Sequence, residues 1–179
     1  MNENCGLDRH PMGIQHTKKL IQMAQLSPCR ILDMGAGKGE TVAYLKEQGY
    51  DAVGIDINAG DGILCADYLH SPFEDESFDA VISECSFFIS GDEDRAFSEA
   101  YRVLRHGGVM LYGDVCVDEP TVKFRKLTDA GFEIEKTEDI TDEWKSFYIQ
   151  LIWQGDTSIR DCMKERKKCR YYLTICKKK

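Results

Sequence analysis

A short apolar run that ends on an acid and breaks at once into glycines, Ile31-Leu32-Asp33-Met34-Gly35-Ala36-Gly37-Lys38-Gly39, sets the strongest constraint on this chain. Cys29 to Met34 has the character of a buried strand, and the spaced glycines allow a tight turn with positive φ. Glu40 to Gln48 then carries Val42, Ala43 and Leu45 at helical spacing and stops at Gly49. A strand, a glycine turn and a helix in that order make the first half of a βαβ unit, so a parallel sheet must follow. The turn also lets a ligand approach the main chain where the helix offers unpaired N–H groups.

The rest of the chain repeats the alternation. Met12 to Gln25 places Ile14, Leu20, Ile21 and Ala24 on one stripe of a leading helix, which Pro28 bounds. Strands are predicted at Ala52–Asp56, Ile63–Ala66 and Phe78–Ser83, the last apolar enough for a central position. The segment from Ile57, with glycines at 60 and 62, is too short for a full crossover helix. A helix over Asp92–Leu104 is expected to end at Gly107 and Gly108, with a fifth strand starting at Val109. Val122–Ala130 reads as a helix and Phe132–Thr137 as a strand. Ser158–Lys168 reads as a second late helix and Tyr171–Cys176 as a closing strand. This predicts one α/β domain over 1–179, with a helix or lid in 1–28 and an insert at 141–168 before the last strand. Trp144, Phe147, Tyr148 and Trp153 in that insert either line an apolar pocket or cover the sheet.

Charge bears on partners. The net charge is −8, yet from Arg160 onward nine Lys or Arg face two acids, so the tail carries +7 and the rest −15. An acidic body argues against a nucleic-acid partner, although the basic tail leaves RNA contact open. No apolar stretch is long enough to span a bilayer, and the polar residues Met1–Arg9 are unlike a secretory signal, so a cytoplasmic location is expected. None of the eight cysteines has zinc-knuckle spacing, which predicts free thiols and no metal.

Asp33 stands immediately before the glycines, where a carboxylate would repel a diphosphate but suits the ammonium of an amino-acid ligand. Asp56 ends the second strand, where an acid can accept from ribose hydroxyls, and Asp67 follows the third, where it can receive an adenine amine. Glu84 and Cys85 follow the fourth strand in Ser83-Glu84-Cys85-Ser86-Phe87-Phe88. An acid there could orient or deprotonate a nucleophile or merely cap the next segment, and the cysteine could ligate a soft substrate or be a bystander. His16 and His70 read as surface or capping residues.

The ordered set Asp33-x-Gly35-x-Gly37-x-Gly39, Gly54-Ile55-Asp56, Asp67, Phe78-Asp79-Ala80-Val81-Ile82-Ser83 and Arg102-Val103-Leu104-Arg105-His106-Gly107-Gly108 resembles class I S-adenosylmethionine-dependent methyltransferases. The resemblance spans Met12 to Asp114, with His106 where the family usually has proline and a shortened stretch between Asp56 and Asp67. His10-Pro11-Met12-Gly13 resembles a lead-in of small-molecule members that can fold over the cofactor. The resemblance implies a Rossmann-like three-layer sandwich with a mostly parallel seven-stranded sheet and an antiparallel last strand. It implies S-adenosyl-L-methionine as methyl donor, with S-adenosyl-L-homocysteine as product. Its binding residues would be Asp33, Gly35, Ala36, Gly37, Gly39, Asp56, Ile57, Asp67, Tyr68 and Ser83, with Glu84 and Cys85 as catalytic candidates and a small-molecule acceptor. An Asn/Asp-Pro-Pro-Tyr sequence after the fourth strand is missing, which argues against adenine or glutamine amide methylation. Three rivals stay open: a nicotinamide oxidoreductase, which would need a Tyr-x-x-x-Lys pair this sequence lacks, a non-catalytic adenosylmethionine-binding module, and an RNA methyltransferase.

Overall fold

Residues 13–117, 119–154 and 169–179 are described by a computed structural model of the chain. The lead-in at 10–12 and the helix expected over 158–168 lie outside the described residues. The elements are α1 (Ile14–Ala24), β1 (Arg30–Met34), α2 (Glu40–Glu47), β2 (Asp51–Asp56), β3 (Leu64–Cys65), β4 (Phe78–Glu84), α3 (Glu93–Val103), β5 (Leu104–Cys116), α4 (Pro120–Asp129), β6 (Phe132–Asp139), α5 (Thr141–Trp153) and β7 (Arg170–Lys178). Local chemistry accounts for several of their ends. Gly39 starts α2 at φ +84°, Asp92 caps α3 by accepting from the Arg95 N–H at 3.0 Å, and Pro120 opens α4.

One seven-stranded sheet runs in the order β3-β2-β1-β4-β5-β7-β6. β1 pairs in parallel with both β2 and β4, while β7 is antiparallel to β5 and β6, as the Rossmann-like methyltransferase fold requires. Period-two alternation divides the strands between two cores. Ile31, Ala80, Ile82, Leu111 and Leu173 pack with Leu20 and Leu45 on one face, and Leu32, Met34, Val81, Met110 and Tyr112 pack with Phe97 and Ala100 on the other. The chain order reverses between β1 and β4, so the crevice at their carboxyl ends is where such a sheet binds ligands.

Two expectations are corrected. Gly107 and Gly108 do not separate α3 from its strand: α3 stops at Val103, and β5 starts at Leu104, opposite Phe78. The register then jumps so that Ala80 faces Val109, and Arg105–Gly107 are exposed, with Gly107 at φ +76°. The glycines therefore mark a bulge in the strand, which also carries exposed His106. His16 is no surface residue, since the α1 stripe holding Leu20 buries it to 1% exposure, whereas His70 is exposed, 3.7 Å from Asp67. In the insert, Trp144 and Tyr148 are wholly buried against the sheet, while Trp153 stays 83% exposed.

Candidate functional site

Asp33 lies one residue from the end of β1, paired with Gly54 of β2 and Ile82 of β4, and its side chain is only 4% exposed. A carboxylate held there favours a cationic partner over any anion. The glycine turn follows at once, with Gly35, Gly37 and Gly39 all at positive φ. Its N–H groups are directed inward: Gly35 and Ala36 both donate to the Ile55 carbonyl, Gly37 donates to Asp56 Oδ2 at 2.9 Å, and Gly39 donates to the Ala36 carbonyl. A dinucleotide site would aim such groups at a pyrophosphate, whereas here the main chain of β2 and its terminal acid engage them. A Cβ on Gly37 would meet nothing within 4 Å, so the turn presents open main-chain surface at that point.

Asp56 closes β2 and braces both sides of the crevice, accepting from Gly37 N–H and, through Oδ1, from Asn58 N–H at 2.7 Å. Each carboxylate oxygen can accept again, so bracing the turn leaves capacity for ribose hydroxyls. Beside it Ile57 is 63% exposed, an apolar shelf at the sheet edge. Asp67 caps a short 3-10 turn at Tyr68–His70 by accepting from Leu69 N–H at 2.8 Å and remains open to solvent. Tyr68 behaves differently: its ring is buried and stacked on Phe87, its hydroxyl donates to the Ser86 carbonyl at 2.8 Å, and burial pushes its phenol up. Ser83 is buried too, its hydroxyl donating to the Met34 carbonyl across β4 and β1. Both hydroxyls are thus engaged by main-chain carbonyls that hold the walls of the crevice together.

The segment after β4 is held residue by residue. Glu84 Oε2 accepts from the Thr17 hydroxyl of α1 at 2.7 Å, and Thr17 lies 3.4 Å from the Thr41 hydroxyl of α2. Cys85 takes positive φ, +57°, and its N–H donates to the Gly113 carbonyl of β5. Such a conformation is costly for a side-chain-bearing residue and tends to occur at functional sites. Its Sγ lies 3.0 Å from the Tyr171 hydroxyl of β7. Burial, and then the charge of Asp114, push the Cys85 thiol well above its usual range; the hydrogen bond with Tyr171 opposes them, and the charge of Glu84 adds less. Such a shift works against a thiolate at this position. Ser86 donates to the carbonyls of Gly35 and Glu84, tying this segment to the glycine turn, and Asp114 Oδ2 receives the Phe88 N–H at 2.9 Å.

The structure thus gathers Asp33, the glycine turn, Asp56, Asp67, Glu84 and Cys85 along one edge of the sheet. It adds His16, expected at the surface, and Thr17 from α1, Tyr171 near the start of β7 and Asp114 near the end of β5, the last three not singled out from the sequence. The signal for the first two was their position on the stripe of Leu20. The His16 ring packs on Tyr171 with centroids 5.5 Å apart. Nothing local marked Tyr171, because an antiparallel last strand brings its beginning, not its end, to the carboxyl edge.

Comparison with known proteins gives a consistent picture. The profile of the family described as methyltransferase domain matches residues 32–112. The arsenite methyltransferase of Aquipseudomonas alcaligenes is 29% identical over 136 residues, covering 62% of this chain and 38% of that protein. The uncharacterized methyltransferase YodH of Bacillus subtilis is 31% identical over 166 residues, covering 72% of this chain and 70% of that protein. The chain spans 34–38% of the length of three other curated relatives, the arsenite enzyme among them. Among solved structures, the [4+2]-cyclase SpnF superposes with a TM-score of 0.75 at 19% identity, over 90% of this chain and 80% of that one.

Proposed function

Because the chain belongs to the class I, Rossmann-like methyltransferase family, we propose that it binds S-adenosylmethionine at the carboxyl edge of β1 and β2 and transfers the methyl group to a small-molecule acceptor. The observation that carries this reading is the inward-turned glycine loop beside buried Asp33: its N–H groups serve Ile55 and Asp56, so the crevice suits an amino-acid cation and disfavours a diphosphate. Asp33 and the turn at Gly35, Ala36, Gly37 and Gly39 would hold the methionine part. Asp56 would hold the ribose, and Ile57 with Asp67 the adenine, while Tyr68 and Ser83 keep the walls in place.

A sulfonium supplies an already activated methyl group. The chain's own residues therefore have to align the acceptor in line and exclude water. Glu84, which accepts from Thr17, and the contacting pair Cys85 and Tyr171 would do that work. Arsenite, malonyl-[acyl-carrier protein] and phosphoethanolamine figure in the names of relatives, so acceptors in this family are chemically diverse. The described residues hold no group of three or more His, Cys, Asp or Glu arranged to bind a metal ion. Six described cysteines are free thiols, in keeping with action as a soluble cytoplasmic protein.

Isothermal titration tests the reading. S-adenosylhomocysteine is expected to bind with micromolar affinity and NAD not at all. Asp56→Ala should weaken binding by about 1.5–3 kcal/mol, the range for losing charge-assisted hydrogen bonds, with unchanged far-UV dichroism. Tighter binding of NAD would overturn the assignment, and an unaffected Asp56→Ala would remove the ribose role. A second reading, in which the cofactor binds without methyl transfer, is open because a fold does not fix a reaction. Binding without release of S-adenosylhomocysteine from S-adenosylmethionine across acceptor classes would favour it.

A further inference from the structure

The segment that follows β4 hangs on β5 at two points. Cys85 N–H donates to the Gly113 carbonyl at 2.8 Å, and Phe88 N–H donates to Asp114 Oδ2 at 2.9 Å. Cys85 itself stands at φ +57°, a strained conformation that persists only where the surroundings fix it. The same few residues reach both walls of the crevice. The Ser86 hydroxyl donates to the Gly35 carbonyl of the glycine turn, and the Ser86 carbonyl accepts from the hydroxyl of Tyr68, the neighbour of Asp67. Phe88 is thus linked through Ser86 to the turn on one side and to Tyr68 on the other.

Asp114 is suited to hold its end of this link. It is 1% exposed, and its two oxygens serve different donors. Oδ1 takes Val115 N–H at 2.7 Å, while Oδ2 takes Phe88 N–H and lies 3.3 Å from the Tyr112 hydroxyl. An N–H on each oxygen calls for a carboxylate, since an asparagine would turn its NH2 group toward one of them. A buried carboxylate also needs a countercharge. Burial raises the Asp114 carboxyl, and the Lys123 charge together with the two N–H bonds offsets that in part.

We propose that Asp114 is a positioning residue for the cofactor crevice: through Phe88 N–H it sets the segment from Cys85 to Phe88, and through Ser86 the spacing between the glycine turn and Tyr68. This rests on the methyltransferase reading, in which that turn and Asp67 hold opposite ends of the cofactor. Loss of the Asp114 bond frees Cys85 to leave positive φ. Because Phe88, Ser86 and Gly35 are joined in series, the crevice then loosens. The sheet does not come apart with it, since the ladder that pairs Asp114 with Tyr172 of β7 runs through the main chain.

The test uses the full chain, with S-adenosylhomocysteine as the probe in isothermal titration and amide hydrogen exchange followed residue by residue by NMR. In wild type the Phe88 amide should be protected like those of Val81 and Ile82 in β4. Asp114→Asn should bind S-adenosylhomocysteine about fivefold more weakly, the scale of one lost hydrogen bond. Its Phe88 and Cys85 amides should exchange about tenfold faster while Leu32 in β1 keeps its rate, a local change that a general loss of stability would not give. Ser86→Ala, which leaves Asp114 in place, should also weaken binding, by about threefold, with the Phe88 amide still protected. Adding Asp114→Asn to Ser86→Ala should weaken binding by less than about twofold more, because both act on one link. Unchanged affinity in either single variant, full additivity in the double variant, or an unprotected Phe88 amide in wild type overturns the proposal. Failure of wild type to bind S-adenosylhomocysteine would instead overturn the family-based reading beneath it.

Discussion

Replacing Lys123 by Met is expected to cost about 3 kcal/mol of stability, the lower end of the range for removing one partner of a buried ion pair. Its side chain is 7% exposed, and Nζ meets Glu93 at 2.6 Å, the Val115 carbonyl at 2.6 Å and the Tyr112 hydroxyl at 3.1 Å. Met fills the space but leaves the Glu93 carboxylate and the Val115 carbonyl without that donor. The lower end applies because Lys126, more exposed, still reaches Glu93 at 3.1 Å. The two acids near Lys123 respond in opposite directions. Burial would raise the Glu93 carboxyl, but Lys123 and Lys126 more than offset it and lower it below 4.5. Burial dominates at Asp114 and raises it, with Lys123 opposing only in part. Direct contact decides the difference, so Glu93 is the partner that Lys123 serves. A lowered carboxyl contributes stability that is fully present above its unfolded value and is lost as pH falls through the folded one. Urea denaturation should therefore show the Lys123→Met deficit in full at neutral pH and narrowing as pH drops below about 4.5. Adding Glu93→Leu should recover much of it. A deficit below about 1 kcal/mol at neutral pH would show that this pair contributes no more than a surface ion pair.

Gly35→Ala is expected to destabilise the protein by about 2–4 kcal/mol and to damage the cofactor crevice with it. Two independent costs add. Gly35 has φ +91°, where an L side chain is strained, and a Cβ would lie 2.0 Å from Ser86 Oγ and 2.4 Å from Ser86 Cβ. Ser86 cannot simply turn aside, since its hydroxyl is bonded to the carbonyls of both Gly35 and Glu84. The closeness of the turn to the segment after β4 would place the proposed cofactor and acceptor sites side by side. A double-mutant comparison separates the costs: Ser86→Gly in the Gly35→Ala background should return the steric part and leave the backbone part. Equal thermal midpoints for wild type and Gly35→Ala would mean that the segment yields without cost.

Much of this site was legible because its signals are local. Glycines that need positive φ, an acid before them, and another twenty-odd residues later at a strand end are all set by neighbours in sequence, and the structure puts Asp33, Gly37 and Asp56 within one crevice. Asp67 and Glu84 were legible for the same reason, as residues that end or follow a strand. What the sequence did not reveal at Tyr68 is that its ring is drawn into the nearest core, against Phe87. The glycines at 107 and 108 misled, since a bulge and a helix stop call for the same residue.

By itself the sequence determined the order of strands and helices, the glycine turn and the row of acids along one sheet edge, since each depends on backbone preference and on the period of apolar residues. Only the tertiary structure decided what stands opposite that row. Thr17 meets Glu84 across a separation of 67 residues, and Tyr171 meets Cys85 across 86. Those pairings follow from α1 packing over the carboxyl edge and from β7 entering the sheet antiparallel between β5 and β6. Their physical basis is burial: a threonine and a histidine on an apolar stripe go inside with Leu20, and once inside they must find polar or aromatic partners, which only the assembled sheet can provide.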